Sequence, residues 1–215
     1  GLELDILQHK ELQDYSRSLG LDYIVSCWDL NSLQEVESFL GSRFHKVSSA
    51  MACDKEFLHA LNKTGKKIIL SVGMCTSLEI EKTVSQIENL EYILCCTSTY
   101  PTQKKEVNLA HITNLKEQYP KYKIGFSNHY NGHDACIGSV ALGAECIEFH
   151  VTKDRAMYGS DQASSVEPSG FRMLVGAVRK IEQAMGDGKL GYIVKEMTIA
   201  ENLRQHLPWE SSSLQ

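Results

Sequence analysis

Short apolar runs rich in Ile, Val, Leu, Tyr and Phe alternate along the chain with longer stretches of helical period. The runs are Asp22–Cys27, Phe44–Ser48, Lys67–Val72, Glu91–Cys96, Lys123–Ser127 and Cys146–His150. Short apolar strands separated by amphipathic segments are the pattern of βαβ units around a parallel sheet. Several helix boundaries carry their own signals. Asp54 precedes Phe57–Leu61 and Thr64-Gly65 follows it; Thr76 and Glu79 have the spacing of a capping box; Glu167-Pro168 opens Gly170–Met185, which Gly186 closes. A helical segment at about Asp5–Leu19 precedes the first run, and a helix around Ile193–Gln205 precedes a polar, Ser-rich end. Six strand–helix units are therefore predicted, at a repeat of ~20–30 residues.

Six parallel strands fit either an open doubly wound sheet or an incomplete barrel. No G-x-G-x-x-G or Walker loop follows any run, so the open sheet lacks its usual nucleotide signature. Polar groups stand instead at the ends of the runs: Ser26; Lys46, Ser48 and Ser49; Ser71; Thr97 to Tyr100; Ser127, Asn128 and His129; Glu148 and His150. A barrel gathers all strand C-termini around one mouth, where barrel active sites lie. The expected fold is α/β, a (β/α)8 TIM barrel with about six of its eight strand–helix units in this chain. Residues 1–190 would form the barrel domain, N-terminally incomplete, and residues 191–215 a C-terminal helix and tail.

Composition narrows the partners. The 215 residues are 42% hydrophobic and 23% charged, enough for the core of one large domain. A net charge of -5 gives no footprint for nucleic acid, though a local basic pocket for one small anion is compatible with it. No run of 18 apolar residues occurs, and Gly1 to Ile6 lacks the features of a signal peptide, so a soluble cytoplasmic protein without membrane contact is expected. The seven cysteines form no C-x-x-C pair; Cys95 and Cys96, adjacent in one run, should point to opposite faces as reduced, buried thiols.

His129 and His150 end neighbouring strands, and with Glu148 and water they suit a divalent metal that keeps positions open for substrate. Spacing alone leaves each of them either a ligand or a hydrogen-bonded rim residue. Lys46 would face inward with Ser48, where an anion must neutralise it; a solvated strand-end lysine is the alternative. Ser71, Ser98 and Ser127 add hydroxyl donors that can hold a phosphate without a P-loop. Tyr100 is either a contact for a polyol or a plug packed on Pro101. Asp161 lies in a Gly-containing loop long enough to reach across the mouth.

Several linked segments resemble the sialic acid synthase family in order and spacing. They are Lys66-Lys67-Ile68-Ile69-Leu70-Ser71-Val72-Gly73-Met74, Cys95-Cys96-Thr97-Ser98-Thr99-Tyr100-Pro101, Val107-Asn108-Leu109, Gly125-Phe126-Ser127-Asn128-His129, Ala141-Leu142-Gly143-Ala144 and Ile147-Glu148-Phe149-His150. Asp154-Arg155, Gly159-x-Asp161, Glu167-Pro168 and Ala184-Met185-Gly186-Asp187-Gly188 continue the match, which runs from about residue 3 to 188. The resemblance implies an N-acetylneuraminate synthase-like transferase of carbohydrate biosynthesis. In such a reaction C3 of phosphoenolpyruvate adds to the aldehyde of an acylamino sugar such as N-acetylmannosamine, water attacks C2, and phosphate leaves. Carried over by position, His129 and His150 would hold Mn²⁺ or Mg²⁺ and act with Glu148 in catalysis. Lys46, Ser49, Ser98 and Ser127, with Ser71 and Ser26, would hold phosphoenolpyruvate; Tyr100, Glu148 and Asp161 would contact the sugar.

Departures from the family pattern are also visible. Its Ser-Gly-Glu is Ser49-Ala50-Met51 here, its Ser-Asp-His is Ser127-Asn128-His129, and its Pro-Gly-Pro-Asp loop is Tyr158-Gly159-Ser160-Asp161. The family's first two strands are expected before Gly1, its C-terminal antifreeze-like domain has no counterpart here, and a homodimer is the family's habit. Met51 opens a second reading, a non-catalytic relative that keeps a phosphoenolpyruvate- and sugar-binding pocket. Two histidines with a carboxylate also suit a metal-dependent barrel hydrolase.

Overall fold

Five strands form one parallel sheet in chain order: β1 (Phe44–Val47), β2 (Lys67–Ser71), β3 (Leu90–Cys96), β4 (Lys123–Asn128) and β5 (Ile147–Phe149). Successive parallel strands need a crossover, and helices supply it: α3 (Lys55–Lys63), α4 (Ser77–Gln86), α5 (Ala110–Gln118) and α6 (Asp134–Ala141). Two helices come first, α1 (Ile6–Ser18) and α2 (Leu30–Phe39); α7 (Pro168–Met185) and α8 (Val194–Leu203) come last. The computed structural model describes residues 4–191 and 193–205. The chain divides into two compact units, residues 1–183, which hold the sheet, and 184–215, which hold α8. The polar end expected after Gln205 lies outside the described residues.

The helix signals act as expected. Asp54 accepts from the Phe57 amide at 3.0 Å, Thr76 and Glu79 cap each other reciprocally, and Asp5 with Gln8 does the same for α1. Gly65 and Gly186, at φ +67° and +59°, end α3 and α7 in the left-handed conformation that glycine adopts without strain. Between sheet and helices, Val47, Phe57, Leu58, Leu61, Ile68, Leu70, Ile93 and Ile112 are almost fully buried. Each such side chain contributes about 1.5–3 kcal/mol relative to exposure. No described helix is long and apolar enough to cross a membrane.

The sixth expected strand, Asp22–Cys27, is not one. It touches the end of the sheet through side chains, with the Ser26 hydroxyl donating to the Lys46 carbonyl (3.1 Å) and the Ser42 hydroxyl to the Tyr23 carbonyl (3.0 Å). No backbone ladder joins it to β1, and no described strand flanks its other side. A run of apolar residues becomes a strand only where a neighbouring backbone pairs with it, and hydropathy does not report that.

One polar cluster lies in the outer layer. His45 of β1 is buried, with Nε2 3.1 Å from Glu37 Oε1 of α2, and the Lys66 ammonium binds the same oxygen. Burial drives the His45 pKa below its ordinary value, against the pull of Glu37. The unfolded imidazole therefore binds protons more readily than the folded one. Neutral His45 stabilises the fold above about pH 6.5, and that contribution is lost as pH falls from there through the folded pKa. Urea midpoints should drop between about pH 7.5 and about pH 5.5, and His45→Gln should flatten part of that slope. Equal slopes in the two proteins would remove His45 as the source.

Candidate active site at the strand C-terminal ends

The parallel register decides which side chains meet. Cys96 of β3 pairs with Ser127 of β4, and Ser127 with Glu148 of β5, so three inward-facing side chains form a row at the sheet's C-terminal edge. One layer below, Leu94 pairs with Gly125; a Cβ there would overlap the Leu94 side chain and Cys146. At the end of β2, a Cβ on Gly73 would overlap the Ser98 and Ser49 hydroxyls. These two glycines let the rim close over a filled interior.

Above the row is a cavity of about 390 Å³. Ser26, Lys46, Ser49, Ser71, Ser98, Tyr100, Ser127, His129, Glu148 and His150 line it, and Asp161 stands at its edge, with Oδ2 3.8 Å from His150 Nδ1. All the side chains singled out for chemistry are thus brought together. Trp28, Ser48, Met74, Cys96 and Phe149 line it too and were not assigned a role from sequence. For Ser48, Cys96 and Phe149 the signal existed, since each sits at or near a strand's C-terminal end. Trp28 follows the run that failed to pair.

Lys46 is largely buried, and its ammonium lies 3.3 Å from Glu148 Oε1. The expected neutralising anion is therefore, in this state, a carboxylate of the protein. Two residues of the cavity wall, Ser48 and Ser71, bury their hydroxyls behind it without a hydrogen-bond partner. Unpaired buried hydroxyls are costly, about 1–3 kcal/mol each.

Beside them stands an aromatic group. The Tyr100 ring lies 4.2 Å from His129 and 5.9 Å from His150, centre to centre, and the two imidazoles are 5.4 Å apart. His129 Nδ1 is 2.8 Å from the Thr97 carbonyl, which orients the ring and leaves Nε2 free to act as a ligand. Burial lowers the His129 pKa, but contact with the Cys96 thiol, at 3.7 Å, and the Thr97 carbonyl outweigh it, and the net direction is upward. Burial likewise raises the Cys96 thiol, and its bonds to His129, Ser98 and Ser49 bring it below its ordinary value. Burial and the neighbouring His129 push the His150 pKa down, against the pull of Asp161 and Glu148. The two imidazoles stand beside Glu148 and Asp161, yet among the described residues no group of three His, Cys, Asp or Glu is arranged to hold a metal ion.

The loops are tied from behind. Asn128 is buried, donates to the Tyr130 and Gly132 carbonyls at 2.9 and 3.3 Å, and accepts from the Tyr130 amide, which fixes the turn carrying His129. Arg155 binds the Asn131 side chain and the Ala163 carbonyl, and its amide donates to Glu167 at 3.0 Å; these bonds brace the segment that bears Asp161.

The NeuB family model matches residues 1–190. The chain belongs to the NeuB family. It is 36% identical over 194 residues to the N,N'-diacetyllegionaminic acid synthase of Campylobacter jejuni, a match covering 87% of this chain and 57% of that protein. It is 34% identical over 206 residues to the N-acetylneuraminate-9-phosphate synthase of Homo sapiens, covering 94% of this chain and again 57% of the relative. The chain thus spans a little over half the length of these relatives. Its fold superimposes with a TM-score of 0.87 on the N-acetylneuraminic acid synthetase of Leptospira borgpetersenii, at 30% identity, over 97% of this chain and 73% of that one. A truncated 3-deoxy-D-arabino-heptulosonate 7-phosphate synthase of Thermotoga maritima shares the barrel architecture, at a TM-score of 0.70 and 16% identity. The five strands are an arc of that (β/α)8 barrel.

Two departures from the NeuB family pattern now have physical positions. Met51 is half-buried and packs against the hydrophobic core instead of lining the cavity. Asn128 points behind the rim, where its amide donates twice, which a carboxylate could not do. Asn128→Ala should therefore destabilise the chain by about 2–3 kcal/mol through the carbonyls and amide it leaves unpaired. Asn128→Asp, which keeps the acceptor and loses the donors, should fall between. Chemical denaturation checks both, and a loss below about 0.5 kcal/mol for the alanine variant would show that Asn128 does not hold the turn.

Proposed function

We propose that this chain carries the phosphate- and metal-holding part of a synthase that joins phosphoenolpyruvate to an acylamino sugar aldehyde, giving a nonulosonic acid and phosphate. The observation that carries this reading is the anion cradle: Lys46 and the strand-end serines Ser49, Ser71, Ser98 and Ser127 line one cavity with two imidazoles. Membership of the NeuB family and the sialic, legionaminic and pseudaminic acid synthases among its relatives support it.

In the proposed reaction C3 of phosphoenolpyruvate forms the new bond to the aldehyde carbon, water adds to C2, and the bond from C2 to the bridging phosphate oxygen breaks to release inorganic phosphate. Lys46 and the hydroxyls of Ser49, Ser71, Ser98 and Ser127 would bind phosphoenolpyruvate, with Ser26 at the edge of the group. Fixed donors of this kind stabilise charge on the leaving phosphate without reorganising. Tyr100 and Asp161 would hold hydroxyls of the open-chain sugar. Glu148, released from Lys46 by the incoming anion, would accept a proton from a sugar hydroxyl or from the attacking water. His129 and His150 would hold a divalent cation, Mn²⁺ or Mg²⁺, and when bound that cation supplies Lewis-acid polarisation of the aldehyde oxygen. The Thr97 carbonyl, 2.8 Å from His129 Nδ1, sets that ring for the role.

The test is phosphate release from phosphoenolpyruvate in the longest natural form of the chain, with Mn²⁺ and N-acetylmannosamine. Release should require both additions and fall at least about 100-fold in His129→Ala. Release without sugar, or release that survives the substitution, would overturn the reading. Lys46→Met should weaken phosphoenolpyruvate binding about 10–100-fold, the value of one or two lost charge-assisted hydrogen bonds, as read by the KM for phosphoenolpyruvate. An unchanged KM would place the phosphate elsewhere.

A further inference from the structure

Cys96, the last residue of β3, places its thiol where the ends of several strands meet in the cavity wall. The sulfur lies 3.7 Å from the Ser49 hydroxyl after β1, 3.6 Å from the Ser98 hydroxyl, and 3.7 Å from Nδ1 of His129 after β4. Gly73 makes room for this convergence: a Cβ there would overlap the Ser49 and Ser98 hydroxyls and crowd the Cys96 sulfur.

The protons of the group follow from the partners that cannot donate. The Thr97 carbonyl, 2.8 Å from His129 Nδ1, only accepts, so Nδ1 carries the proton and shares it with the Cys96 sulfur. The Ser49 oxygen accepts from the Gly73 amide at 2.9 Å and gives its own proton to the same sulfur. With both lone pairs engaged, the thiol has its S–H left for the Ser98 oxygen. The Ser98 hydroxyl proton is then free to turn to the cavity. The Ser49 proton is held by sulfur, an acceptor far weaker than a phosphate or carboxylate oxygen, and passes readily to an incoming anion.

We propose that Cys96 is a positioning residue for phosphoenolpyruvate, its thiol setting the Ser49 and Ser98 hydroxyls so that both donate to the anion. This role rests on the reading of the cavity as a phosphoenolpyruvate site. Cys96 acts through the two serines and touches no reacting atom. His129 keeps its bond to the Thr97 carbonyl when the thiol is lost, so the effect of Cys96 falls on anion binding and spares the chemical step.

Phosphoenolpyruvate binding is measured by titration calorimetry, and KM and kcat by phosphate release with Mn²⁺ and N-acetylmannosamine, in the longest natural form of the chain. Cys96→Ala should raise Kd and KM for phosphoenolpyruvate about 5–10-fold, the worth of about one hydrogen bond, and leave kcat within about twofold. Cys96→Val, which refills the space of the sulfur without a polar atom, should do the same. Cys96→Ser, which returns a donor and two lone pairs, should bring KM back to within about threefold of the wild type. In a Ser49→Ala/Ser98→Ala background Cys96→Ala should add less than about twofold, because the hydroxyls it acts through are gone. A merely structural cysteine would lower the urea midpoint and leave KM where it is. An unchanged KM in the alanine or valine variant would overturn the role. So would a fall in kcat without a rise in KM, a serine variant as weak as alanine, or an undiminished loss in the double-serine background. A wild-type chain that neither binds nor turns over phosphoenolpyruvate would overturn the reading of the cavity itself, and the role of Cys96 with it.

Discussion

The whole arrangement depends on the curl of a sheet whose first and last strands carry opposite charges. In a flat sheet β1 and β5, four spacings apart, would lie about 19 Å from each other. Lys46 and Glu148 nevertheless approach to 3.3 Å across the inside of the arc. Only a strongly curved sheet brings them together, and the right-handed twist of parallel strands, covered by helices on the outer face, supplies that curvature. Every group at the mouth owes its position to this curve, since the side chains in question come from five strands and the loops that follow them.

Curvature needs an interior that fills without jamming. The row of Cys96, Ser127 and Glu148 sits above a layer in which Leu94 meets the bare backbone of Gly125. A larger residue at Gly125 would push Leu94 toward the rim and tilt the polar row. Gly73 works in the same way one strand pair away, letting the Ser49 and Ser98 hydroxyls approach the β2 end from both sides. Small side chains at these points let the apolar layers close while the polar layer stays at one height. The Asn128 and Arg155 bonds then fix the loops that rise from it.

Most of this was legible in the sequence because the strands are short, apolar and evenly spaced, and because helix caps are local signals. Asp54, Thr76 with Glu79, Gly65 and Gly186 act where their sequence neighbours place them. The site was legible for a related reason: in a parallel barrel the C-terminal end of a strand is a position in space as well as in sequence, so Lys46, Ser71, Ser127, Glu148 and His150 could be grouped before any contact was known. What failed needed a partner to be known. Asp22–Cys27 has the hydropathy of a strand and lacks a ladder. The role of Met51, packed on the core, depends on which way a single 3-10 turn faces.

The charges at the mouth are poised for exchange. Glu148 keeps 41% of its side chain exposed, so solvent screens its pairing with Lys46, which is worth no more than about 0–1 kcal/mol. A phosphate would offer Lys46 a charge-assisted bond worth about 1.5–3 kcal/mol, and its other oxygens would turn to the serine hydroxyls proposed to hold it. On the proposed reading the incoming anion would therefore win the lysine. Glu148 would then be left as a free carboxylate facing the cavity, beside the two imidazoles and Tyr100. On the proposed reading, binding of the first substrate thus creates the base that the second one needs. A site built this way would acquire its acceptor-binding carboxylate only after phosphoenolpyruvate is in place, which makes an ordered sequence of substrates the natural consequence of one weak ion pair.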